Sequence, residues 1–212
     1  MSRKPVQDAT SYLPKSRTLS ALSKAAQSCQ ACDLYRHATQ AVFGAGSSQP
    51  TIVFIGEQPG NEEDLQGLPF VGPAGKLFDR ALIEAGIDRA DVYVTNVVKH
   101  FKFEERGKRR IHKKPNASEV TACKPWLEAE ISTVQPKMIV CLGATAAQAV
   151  LGGDYRLTKE RGKFTSHDWA PQVTATVHPS AILRAPDPER RSQMYADFVA
   201  DLKSARQKLG RQ

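Results

Sequence analysis

The stretch TIVFIGEQPG, residues 51–60, decides the fold. Thr51 to Ile55 is rich in β-branched residues and predicts a buried strand, which Gly56 ends. Downstream, Pro73 to Ala85 reads as a helix, with Pro in its first turn and Gly86 just past its end. The run 92–98 predicts a second strand, Lys137 to Leu142 a third and Gln172 to Val177 a fourth. Further helices are expected over 18–28, from a Ser118 N-cap to about Thr133, from Gly143 to Leu151 and over 188–208. Strands alternating with helices define an α/β fold: a single-domain three-layer sandwich with a central, mainly parallel four-stranded sheet. Residues 1–17 are polar, with two prolines, and are expected to form a mobile N-terminal arm ahead of a domain spanning 18–212.

Ligands of such sheets bind beyond the carboxyl ends of the strands. The segments following the four strands are Gly56–Gly60, Asn96–His100, Gly143–Ala144 and His178–Ser180, and three of them carry polar or charged groups suited to a site. In the first, glycines let backbone approach a ligand, and Glu57 and Gln58 supply an acid and an amide. Asp64 and the segment LPFVGPAGK follow, with Phe70 offering an aromatic face to a flat base; a Gly/Pro turn with a core Phe explains the same residues equally well. A phosphate-binding P-loop is excluded, because Gly75-Lys76 is followed by Leu77 rather than Ser or Thr. Asn96 can read a base edge through one planar amide, or simply make a turn. His178, ahead of Pro179-Ser180, can stabilise charge on a departing oxygen, or be structural.

The chain has 212 residues and a formal net charge of +8, which favours polyanionic partners, nucleic acid first. The excess is concentrated between Lys99 and Lys114, where only Glu104 and Glu105 oppose the cations. Lys108, Arg109, Arg110 and Lys113 there predict a solvated, phosphate-contacting loop. Like charge from Arg109, Arg110 and Lys113 disfavours protonation of His112, and a neutral imidazole is a competent nucleophile. No apolar run approaches a membrane span and no export signal is visible, so a cytoplasmic protein without membrane partners is expected. Cys29, Cys32, Cys123 and Cys141 are the only cysteines. One C-x2-C pair does not make a zinc ribbon; four dispersed thiols suit a [4Fe–4S] cluster, while a chance pair with a buried Cys141 is the simpler alternative.

Taken together, the segments from Cys29 to about Arg184 resemble the uracil-DNA glycosylase superfamily, specifically its iron–sulfur members. GEQPG resembles the family's first motif, LPFVGPAGKLFDRAL the segment bearing a uracil-stacking Phe (Phe70), VTNVVKHFKF the segment bearing a uracil-reading Asn (Asn96), and TVHPS the last motif, whose His (His178) faces uracil. The four cysteines fall where the cluster ligands fall. Gln58, where turnover members usually have Ala, and the KRRIH insertion resemble the X-type enzymes (UdgX), in which the His of KRRIH becomes joined to deoxyribose. The resemblance implies His112, Glu57 and His178 as catalytic groups, with Gln58, Asp64, Phe70 and Asn96 at the substrate. It further implies a [4Fe–4S] cofactor, and uracil-containing DNA, single strands included, as the partner of a monomer. A turnover glycosylase, or a metal-bearing nucleic-acid-binding protein without catalysis, are the competing expectations.

Overall fold

The structure is a computed structural model that describes residues 8–210. Its central sheet has six strands in the order β1 (Ala45–Gly46), β3 (Val92–Asn96), β2 (Ile52–Gly56), β6 (Met138–Leu142), β8 (Ala170–Thr176) and β7 (Thr165–His167). The four inner strands are parallel and are those expected from the sequence. The sheet is wider than the expected four strands because a short antiparallel strand caps each edge, β1 on β3 and β7 on β8. Both caps are too brief to leave a periodic signal.

Alternation along each parallel strand fills both layers. Val53, Ile55, Tyr93, Ile139 and Cys141 face α1 (Leu19–Ala26), α4 (Ala117–Val134) and α5 (Ala144–Leu151), around Trp126 and Leu127. Ile52, Phe54, Val92, Val94, Met138 and Val140 face α3 (Pro73–Ala85) and α8 (Pro188–Leu209), around Phe78, Phe198 and Leu202. Phe54 and Phe78 meet edge to face at 4.9 Å. Burial of one such ring is worth about 1.5–3 kcal/mol, so the α3/α8 layer is anchored by an aromatic contact onto the central strand β2. Short helices α2 (Asn61–Gln66), α6 (Leu157–Glu160) and α7 (Pro179–Leu183) lie in the connections.

Several sequence expectations change in detail. The α4 N-cap is Asn116 rather than Ser118: the Asn116 side chain accepts the Glu119 N–H at 2.9 Å, and the Glu119 carboxylate accepts the Asn116 N–H at 2.7 Å. That reciprocal pair satisfies two helix-end donors, which capping by a serine two residues later would leave open. Of the expected mobile arm, residues 1–7 lie outside the described residues. Beyond them, Ala9–Tyr12 forms a 3-10 turn with Ala9 fully buried, and Thr133 on α4 donates to the Arg17 carbonyl at 2.8 Å. The residues from Ala9 onward are therefore part of the body rather than an arm.

The basic segment is not a loop. It forms an antiparallel hairpin, β4 (Phe103–Arg106) and β5 (Arg109–His112), paired Phe103 to His112 and Arg106 to Arg109. Gly107 turns it at φ 59°, in the left-handed region that favours glycine. The dense charge hid the strands from a periodicity argument. Among the described residues no helix is long and apolar enough to cross a membrane.

Candidate active site

The parallel register brings the strand ends to one edge, with Gly56 beside Asn96 on the neighbouring strand. A cleft of about 430 Å³ opens there, within the range usual for small-molecule sites. Glu57, Phe70, Asn96, Thr145 and His178 line it, with His112, Lys114 and Arg184 also on its wall.

Gly56 makes the cleft's floor possible. A Cβ there would lie 2.4 Å from Asn96 Oδ1 and 3.0 Å from the Phe70 ring. Phe70 itself holds a φ of 59°, unusual outside glycine, and a Cβ on Gly75 would fall 1.7 Å from its carbonyl oxygen. The ring is thus held by backbone geometry, packing against Phe78 at 5.4 Å and lying 6.0 Å from the His178 ring. The Gly/Pro-rich sequence serves to put an aromatic face at the cleft, and Phe70 belongs to the core as well.

His178 caps α7: its Nδ1 accepts the Ser180 N–H at 3.1 Å. A neutral ring accepting at Nδ1 carries its proton on Nε2, which is then a donor. Burial, and then the charges of Arg184 and His112, push His178 down to about 4. The ring is therefore a neutral hydrogen-bond donor at pH 7, not a cation.

Glu57 is held from one side and faces a partner on the other. Thr145 Oγ1 donates a hydrogen bond to its Oε2, and Oε1 lies 3.5 Å from His112 Nε2. His112, half exposed, has its pKa lowered by burial, against the opposing charge of Glu57, and further by Arg184. The expected cause, crowding by Arg109, Arg110 and Lys113, is corrected: after burial, the cation acting on the ring is Arg184, which also lines the cleft.

Two residues expected at the substrate also brace the hairpin, and of the two Gln58 lines the cleft while Asp64 does not. Gln58 is buried, and its amide nitrogen donates to the carbonyls of Lys102 (3.1 Å) and Lys113 (3.0 Å), while its oxygen accepts the Lys102 N–H at 3.2 Å. It clasps both legs of the hairpin that carries His112, which leaves its amide no free donor pair for a base. Asp64 is fully buried away from the cleft wall, accepting from Thr39 N at 3.0 Å and from Arg110 at 2.6 Å. Arg110 also donates to Asn61 at 2.8 Å and lies over the Phe101 and Phe103 rings. Arg110 is accordingly an anchor of the hairpin. Lys108 and Arg109 are exposed at the tip, whereas Lys113 pairs with Glu104 at 2.7 Å.

Of the four cysteines expected to act together, three are neighbours. Cys29 and Cys32 each act electrostatically on Cys123, while burial alone raises Cys141. Cys141 sits fully buried within β6, paired with Ile55 and Ala175, and is a core residue. The other three sulfurs suit metal ligation in part. Trp126 Nε1 donates to Cys29 Sγ and Lys99 N to Cys123 Sγ, both at 3.2 Å, bonds that favour thiolate sulfur. Burial pushes the Cys123 thiol up to about 12, an effect a bound cation reverses. Among the described residues no three His, Cys, Asp or Glu side chains are arranged for a single metal ion.

Thr145 and Arg184 escaped the sequence reading, and Lys114 entered it only as part of the basic segment. Thr145 stands one position beyond the Gly143–Ala144 segment that follows β6, so the strand-end rule passed within a residue of it. Arg184 follows the HPS segment as the cap of α7 and carried no motif of its own.

The arrangement is a strand-end cleft with an aromatic floor, a planar amide, a neutral imidazole donor and a carboxylate facing a second imidazole on a basic hairpin. A uracil DNA glycosylase superfamily model matches residues 43–203, and the chain belongs to that superfamily. It is 38% identical over 178 residues to a type-4 uracil-DNA glycosylase of Archaeoglobus fulgidus, covering 81% of this chain and 85% of that one. It is 39% identical over 178 residues to the type-4 uracil-DNA glycosylase of Thermotoga maritima, covering 84% and 89%. A third, from Sulfurisphaera tokodaii, is 38% identical over 181 residues, covering 81% and 77%.

Proposed function

We propose that the protein excises uracil from DNA and that His112 then becomes joined to the deoxyribose. The observation that carries this reading is the approach of His112 Nε2 to Glu57 Oε1, 3.5 Å, at the wall of the cleft. Exposed Lys108 and Arg109 hold phosphates, and the uracil enters the cleft unstacked. Phe70 stacks on the base and the Asn96 amide reads its polar edge. Cytosine presents an amino group where uracil has an oxygen, and each buried polar group left unpaired costs about 1–3 kcal/mol.

The N-glycosidic bond breaks with its electron pair leaving on uracil, where the Nε2–H of His178 donates to the oxygen that gains charge. Positive charge develops on the sugar. The lone pair of His112, whose ring is neutral, forms a bond to the anomeric carbon, and the ring becomes a cation that the Glu57 carboxylate stabilises. Uracil takes a proton from solvent. On this reading the bond between the imidazole and the sugar is not displaced, so the enzyme ends as an adduct and acts once.

Cys29, Cys32 and Cys123 would hold an iron–sulfur cluster, with Cys141 outside it. A cluster supplies no step above; its place is to tie the segment 29–38 to α4. No step needs a second subunit, and a monomer acting on single strands is the simplest form.

A turnover reading is favoured by the relatives, which carry the name type-4 uracil-DNA glycosylase. In it, water adds to the sugar and His112 only contacts DNA. Incubation with a uracil-containing single-stranded oligonucleotide, followed by a denaturing gel, separates the readings. A heat-stable shifted band is expected. Free abasic product without a band would leave turnover, and neither product would leave binding alone.

A further inference from the structure

The end of β3 is gripped from the core side by an ion pair that the chemistry above does not use. Lys99 is 1% exposed and Glu130, on α4, is 0% exposed. The Lys99 ammonium donates to the Glu130 carboxylate, to Thr95 Oγ1 at 2.7 Å and to the Asn96 carbonyl at 2.8 Å, which uses all its protons. Glu130 accepts in addition from the Tyr93 hydroxyl at 2.8 Å, from Gly44 N at 2.9 Å and from Thr95. At the other end of Lys99, its backbone N–H donates to Cys123 Sγ.

A fully buried pair is a poor source of stability, because apolar residues of similar volume often replace it without loss. What such a network supplies is geometry. The atom it fixes is the carbonyl of Asn96, whose own amide is packed against Gly56 and lines the cleft. Val97 and Val98 are tied in turn to the carbonyls of Gly56 and Glu57, both at 3.0 Å. The Asn96 backbone is therefore fixed between the Glu57 segment on one side and the Lys99 ammonium on the other.

We infer that Lys99, paired with Glu130, is a positioning residue for Asn96: it sets the angle at which the amide meets the uracil edge. The inference rests on reading the cleft as a uracil pocket. It is tested by a double-mutant cycle between the pair and Asn96. Lys99→Met/Glu130→Leu removes both charges together, so no lone buried ion remains. In this variant, folded by circular dichroism, single-turnover uracil release should slow by about tenfold or more, as expected when a reading group is misplaced. Affinity for an uncleavable oligonucleotide should change little. In an Asn96→Ala background the same double substitution should alter release by less than about twofold, since the group it positions is already gone. Equal losses in both backgrounds, or no loss in either, overturn the inference and leave the pair purely structural. Should that double variant not fold, Lys99→Gln/Glu130→Gln, which also removes both charges but keeps polar side chains, carries the same cycle with the same outcomes. If Asn96→Ala alone releases uracil at the wild-type rate, the pocket reading fails first and the positioning role falls with it.

Discussion

His112 and Glu57 stand 3.5 Å apart, Nε2 to Oε1, although one lies on a charged hairpin outside the sheet and the other at the end of the central strand. That pairing is the geometric basis for the nucleophilic role proposed for His112, and each support beneath it can be removed separately.

Thr145 holds the opposite oxygen of Glu57. Thr145→Val keeps the shape but removes the donor, freeing the carboxylate to rotate. Loss of a charge-assisted bond worth about 1.5–3 kcal/mol should slow adduct formation by roughly 10- to 100-fold. Stopped gel time courses would show it, and unchanged kinetics would mean that Glu57 needs no such support.

Gln58 clasps both legs of the hairpin. Gln58→Ala leaves two carbonyls and an N–H without their partner and lets the hairpin drift from Glu57. Adduct yield should fall by about tenfold, while uracil release, for which Phe70, Asn96 and His178 are proposed, should fall less. Quantifying free uracil beside the shifted band checks the split.

Asp64 and Arg110 form a buried anchor for the same hairpin, with Asp64 fully buried. Removing one partner strands the other charge, so Asp64→Ala should destabilise the protein by about 3–5 kcal/mol. Chemical denaturation reads this directly, and a loss below 1 kcal/mol would contradict the anchoring role.

The folded-state pKa of His178 is lowered from its ordinary 6.5 to about 4. Between these values the unfolded chain binds a proton that the folded one does not, so stability is fully present above about 6.5 and is lost as pH falls toward 4. The slope from this ring is at most about 1.4 kcal/mol per pH unit. Denaturation midpoints of wild type and His178→Gln should converge as pH drops from 7 to 4.5; parallel curves would contradict a neutral, buried ring.

Iron and sulfide content tests the cysteine assignment. Ser at Cys29, Cys32 or Cys123 should lower both, whereas Cys141→Ala should retain them, because Cys141 lies within β6.

The parallel strands were legible in the sequence because buried strands write continuous apolar runs, and the strand-end rule then placed Glu57, Asn96 and His178 together. The edge strands, of two and three residues, were too short to read. The hairpin was misread as a loop because its residues are stabilised by Gln58 and by Asp64 with Arg110, contacts more than 40 residues apart in sequence. The same distance explains why Gln58, Asp64 and Arg110 were assigned to substrate or DNA. Their types fit those roles, and only the fold shows that the Gln58 amide, the Asp64 carboxylate and Nε and Nη1 of Arg110 bond within the protein. Cysteine spacing grouped four thiols, but the register of β6 turns Cys141 into the core.

The most direct measurement is peptide mass spectrometry of the protein after reaction with a uracil-containing oligonucleotide and nuclease trimming. A deoxyribose-bearing mass on His112, absent from His112→Ala, is the result expected. An unmodified His112 peptide together with full release of uracil would contradict the covalent assignment and leave a glycosylase that turns over.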